Sequence, residues 1–188
     1  ADNVNVDAAM DFGNVVTATA GVAIGTAGIT VSAGFTFFMG ELYASIRGDA
    51  NVKASDTVSV STSGTSKASA AAAGVAGGAV GVGVNIALAV NTTLIKTFIG
   101  QGVTVAADTV RVGSDFHSYG ATYLVTATVG GVAVGVGVSL VLGVAMSDSF
   151  IGKDTKGETD ALTRGSITAD TVEVTNDLKT DIYAAGVG

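Results

Sequence analysis

The sequence predicts an all-β chain, a parallel β-solenoid (β-helix) built from about three repeats of roughly 52–62 residues. Three observations carry that expectation. A short strand motif recurs along the chain, and the long charge-free spans between its copies alternate with a period of two. The third is composition: 27 Gly, 48% apolar residues, and no Pro, Cys or Trp. Only 13% of residues are charged, against roughly 25% in an ordinary soluble domain. Stacked, repetitive strands suit such Val- and Ala-rich material better than an irregular enzyme fold.

The motif appears as "DNVNV" at Asp2, "DTVSV" at Asp56, "DTVRV" at Asp108 and "DTVEV" at Asp170, with starts 54, 52 and 62 residues apart. An Ile precedes each of the last three in a similar setting: Ile46, Ile99 and Ile151. The repeat units then run 2–55, 56–107 and 108–169, with a partial unit at 170–188. Within the motif, Val58 and Val60, Val110 and Val112, and Val172 and Val174 keep one side apolar. The residue between them is Ser59, Arg111 or Glu173, so that side is free to change sign. One buried face and one solvated face follow.

The apolar spans are the harder element. In "AVGVGVNIALAV" the large residues Val80, Val82, Val84, Ile86, Leu88 and Val90 alternate with Gly81, Gly83, Asn85, Ala87 and Ala89. The third unit repeats this from Val132 to Val144, and the first from Ile29 to Phe37. Such alternation scatters around a helix but makes one clean face on a strand. A membrane helix over 68–95 is disfavoured too, because its glycines would each cost about 1 kcal/mol relative to Ala. Barrel strands would want a polar lumen and aromatic girdles. The Val/Leu row is therefore expected to fill the solenoid core. The Gly/Ala row is expected to lie outward or against a second layer. It would pack between two sheets of one repeat, or form a flat outer face by which neighbouring solenoids associate.

Nine basic and sixteen acidic residues give a net charge of −7, which disfavours nucleic acid and anionic membrane surfaces as partners. The chain starts without a basic or apolar leader and ends in "YAAGVG", so it reads as a piece of a longer protein. No catalytic constellation emerges, and an enzyme is not expected. His117 is the lone His, expected in a turn or on the surface, and no zinc-ligand spacing surrounds it. Ser61, Thr62, Ser63, Thr65 and Ser66 have no paired base. No cofactor is expected.

The one departure from the repeat is "KDTKGETDALTRG" at 153–165, about ten residues longer than its counterpart. Insertions in repeat proteins commonly gather on one face and can form a binding face. Lys153, Asp154, Lys156, Glu158, Asp160 and Arg164 are thus the candidate partner-contacting residues. Asp154, Glu158 and Asp160 match neither calcium-loop spacing, and a solvated loop is the simpler expectation.

The I-G-x-G turn (Ile99, Gly100, Gly102), the D-T-V-x-V strand and the G-V-G-V-x-(V/I/L) run resemble repeats of giant secreted adhesins of Gram-negative bacteria. These are the leukotoxin-like and filamentous-haemagglutinin-like proteins, and the resemblance spans essentially the whole chain. It implies a right-handed parallel solenoid, extracellular or on the cell surface, serving as stalk, matrix filament or adhesive fibre. Its partners would be neighbouring copies or repeats of the same protein and a host or matrix ligand, with no membrane span. The repeat here is longer than the roughly 20-residue coil of haemagglutinin-type helices, so each could be two coils or one wide coil. A binding module using the 153–165 loop and a membrane-active toxin segment are the alternatives.

Overall fold

The computed structural model describes residues 1–152 and 165–188. Every described element is a strand: β1 (Asn3–Ile24), β2 (Ala27–Ile46), β3 (Asn51–Lys53), β4 (Thr57–Gly100), β5 (Thr104–Ala106), β6 (Thr109–Gly152), β7 (Ser166–Thr168) and β8 (Thr171–Val187). All pairings are parallel, as in a β-solenoid. No described helix is long and apolar enough to cross a membrane.

Each repeat is one wide coil. Ala27 pairs with Val80 and Val80 with Val132, so successive turns are offset by 53 and then 52 residues. The motif strands stack as expected, with Asn3, Thr57, Thr109 and Thr171 in one column. Ile46, Ile99 and Ile151 form another. Between β6 and β8 the offset becomes 62 (Thr109 to Thr171), which places the extra residues between Gly152 and Ser166.

Both 44-residue strands bend in the middle. Pairing skips Ala79 and Gly131, and Gly78 adopts φ +151°, a conformation that side-chain-bearing residues rarely take. The break between β1 and β2 is the same bend in the first turn, since Gly25 N–H donates to the Gly77 carbonyl at 3.0 Å. Each turn thus has a first limb (3–24, 57–77, 109–129) and a second limb (27–46, 80–100, 132–152). The limbs face each other: Thr36 Oγ1 donates to the Ser69 carbonyl at 2.6 Å, and the Thr62 and Thr97 hydroxyls meet at 2.6 Å. A limb of some 21 residues is about 70 Å long, so the solenoid is a broad, two-layered ribbon.

At the base of the ribbon a third, narrow sheet (β3, β5, β7) closes the coil after the Gly102 turn, where φ is +82°. The interior here is conventional: Val58, Val60, Val110 and Val112 are buried against Ile46, Ile99, Val103 and Val105. The expected inward side of the motif is therefore observed in the two middle copies. Val172 and Val174 are exposed on the last strand.

Farther out the interior narrows. Leu42, Ile95 and Phe116 pack together, then Ala70, Ala72, Ala87 and Ala89 with Leu124 of the third turn, then glycines near the bend. A Cβ on Gly34 would stand 2.6 Å from the Ala71 carbonyl oxygen, and one on Gly28 2.6 Å from the Gly77 carbonyl oxygen. In the first two turns the limbs approach too closely here for larger side chains; in the third, Leu124 fills the space opposite Gly137. The expectation that the Val/Leu row fills the core is thus reversed: the Gly/Ala row lies inside, between the two sheets of one repeat. Ala87 and Ala89 are fully buried, whereas Val84, Ile86 and Leu88 point outward. The same closeness excludes a flat outer face made of Gly and Ala.

Candidate interaction surface

Turning the small row inward leaves the large one on the outer face of the second-limb sheet. Its side chains stack in columns, among them Val31–Val84–Val136 and Phe35–Leu88–Leu140. In the middle turn these residues are half-buried by their neighbours. In the outer turns they are open, with Val31 68% and Leu140 56% exposed. The first-limb sheet repeats the arrangement near the bend, where Val22, Val75, Val125 and Val129 are exposed.

Charge is confined to the basal half. On the second-limb face the first charged positions met from the bend are Glu41, Lys96 and Asp148; the last two share a column with Tyr43. Beside them Phe98 stacks on Phe150 at 4.8 Å and Arg47 lies 4.8 Å above the Phe98 ring. The first-limb face carries hydroxyls and carboxylates that link successive turns. Ser61 donates to Asp7 and Thr65 to Asp11, both at 2.6 Å, and Arg111 pairs with Glu173 at 3.3 Å. The alternating residue of the motif thus becomes an axial ion pair where its sign changes. His117 lies on this face, as expected, with Nε2 2.7 Å from Asp181 Oδ2.

A shallow groove of about 560 Å³ runs along this polar face, lined by Ser59, Ser61, Ser63, Arg111, Asp115 and Glu173. A second of about 190 Å³ lies at the base between Ile99, Gln101, Val103, Ile151 and Ile167. It borders the positions where the insertion leaves and rejoins the fold. The candidate partner residues Lys153, Asp154, Lys156, Glu158, Asp160 and Arg164 lie outside the described residues. Among the described residues no group of three or more His, Cys, Asp or Glu is placed to hold a metal.

Inside the ribbon, polar groups find partners across the gap. Asn91 Nδ2 lies 3.0–3.3 Å from the Ser66 carbonyl, the Ser66 and Ser118 hydroxyls and the Tyr119 carbonyl. Asn85 Nδ2 donates to Thr126 Oγ1 at 2.7 Å, while its Oδ1 is buried without a partner and faces Gly74. On the outer face the hydrogen bond to Tyr123, followed by desolvation, raises the Tyr119 pKa. Desolvation and then the Glu41 charge raise that of Tyr43.

That the large row, rather than the small one, forms the outer face is the feature that sequence reasoning missed. A signal for it lay in the chain: over 68–77 both alternating rows are almost entirely Ala, Ser and Gly. The strand opposite 80–90 thus offers no large residues for a core. No protein-family model, no curated protein and no solved structure matches the chain.

Proposed function

We propose that the chain is a structural segment of a secreted or cell-surface fibre, a self-associating ribbon that gains length by stacking turns along one axis. The observation that supports this most is the parallel register carried from β1 through β4 and β6 to β8, with turns offset by 52–54 residues and the last by 62. Each turn adds about 4.8 Å of length but about 70 Å of breadth. Breadth is what an assembly of contacting surfaces needs, and a spacer alone would reach farther with narrower coils. The first and last strands carry unpaired edges, the natural place for a further turn to add. The adhesin-like repeat motifs support an extracellular setting, which the absence of cysteine does not exclude.

The test is a series of one, two and three copies of this chain joined in frame, imaged by negative stain and measured by X-ray scattering. The fibre reading expects particles about 70 Å wide that lengthen by roughly 15–20 Å per added copy. Particles that thicken in all directions, with no axial growth, would contradict it.

A further inference from the structure

We propose that the outer face of the second-limb sheet docks on the same face of a second copy of this chain. The pairing deepens the fibre reading above, because it supplies the lateral contact between ribbons.

The face is uncharged from the Ala27–Val80–Val132 column to the Met39–Thr92–Val144 column. That run is about 43 Å long and three strands are about 14 Å across, giving roughly 600 Å² a side. Two copies would together bury about 1,200 Å², the lower end of what specific, stable interfaces use. Large single patches on monomers are usually functional, and contiguous ones of this size mark an interaction site.

The occupant follows from the surface's form. Its ridges repeat about every 6.6 Å along the strands and 4.8 Å across them, and an identical surface has the same corrugation. Face-to-face sheets interdigitate in this way at about 10 Å. A charged partner would find nothing to pair with short of Glu41, Lys96 and Asp148. A lipid bilayer would suit the side chains but not the backbone. The apolar stretches of β2 and of 132–144 are edge strands along this face, and unpaired edge groups in hydrocarbon cost several kcal/mol each. A second copy seated on the face leaves those edges in water.

The experiment is sedimentation velocity of the purified chain over a dilution series. A Val84→Lys/Val136→Lys variant and a Ser63→Lys control on the opposite, polar face are run alongside. Circular dichroism and thermal melts check that each is folded. The wild-type chain and the control are expected to associate reversibly. The double variant should keep its β spectrum and associate at least about a hundredfold more weakly, since an unpaired ammonium at each contact costs several kcal/mol. Should the double variant not fold, Val136→Thr alone is expected to weaken association. A wild-type chain that stays monomeric throughout, or a folded variant that associates as well as wild type, would overturn the proposal. So would a monomeric chain that floats with neutral phosphatidylcholine vesicles, which would make lipid the occupant. A folded monomer whose joined copies still lengthen would keep the fibre reading and remove only this contact.

Discussion

Gly34 lies across the ribbon's interior from Ala71, so close that a Cβ on the glycine would stand 2.6 Å from the alanine carbonyl oxygen. The neighbour is backbone held in a sheet on both sides, and it cannot swing away as a flexible side chain would. Small residues inside are therefore a condition of the bend that folds each turn back on itself.

Gly34→Ala is expected to destabilise the fold by about 1–3 kcal/mol, the usual range for overpacking a tight interior. Gly13 has nothing within 4 Å of its would-be Cβ. There Ala should be neutral or stabilise by up to about 1 kcal/mol, through the lost chain freedom of the unfolded state. Chemical denaturation of the two variants checks both signs.

Asn91 is fully surrounded, and its amide serves acceptors on two turns at once. Asn91→Ala should cost about 1–3 kcal/mol, because Ser66, Ser118 and the Tyr119 carbonyl lose a buried donor. Ser63→Ala, at an exposed position on the polar face, should change stability by less than about 0.5 kcal/mol. Comparing the two denaturation midpoints tests whether the interior polar ladder holds the limbs together.

Tyr119 titrates above the ordinary tyrosine range, chiefly because of its hydrogen bond to Tyr123 and then desolvation. Folding therefore favours its neutral form. The associated stability is fully present below about pH 10, the unfolded value, and is lost as pH rises through the higher folded value. Tyr123→Phe should move the Tyr119 titration back towards the ordinary range, read by ultraviolet difference absorbance. An unchanged midpoint would show that the hydrogen bond is not the cause.

The stacking of turns was legible because axial repetition writes itself into sequence: columns such as Ile46–Ile99–Ile151 keep their identity at a fixed offset. The inward side of the motif was legible as well, since Ser59, Arg111 and Glu173 mark the solvated side. The direction of 80–90 was not. The rule that larger apolar residues go inside presumes room for them, and the space between the limbs is set by the Gly78 bend. The alternation survives that bend, but the inward parity changes from even (Ala70, Ala72) to odd (Ala87, Ala89). Asn85 and Asn91 in the small row are the clue in retrospect, because the amide N–H groups of each reach acceptors across a narrow gap that an outer surface would not offer.

The orientation of this one strand is the central claim, and the absence of cysteine makes it directly measurable. Ile86→Cys and Ala87→Cys place a thiol on neighbouring residues of opposite faces. The measurement is the rate of maleimide labelling of each folded variant, at a dilution where the chain is monomeric and relative to the same chain in denaturant. The thiol at 86, half-covered by its column neighbours, is expected to label more slowly than in the denatured chain but much faster than the thiol at 87. The thiol at 87 should be protected until the ribbon unfolds. Rapid labelling at 87 with protection at 86 would put the Val/Leu row back in the core and contradict the account.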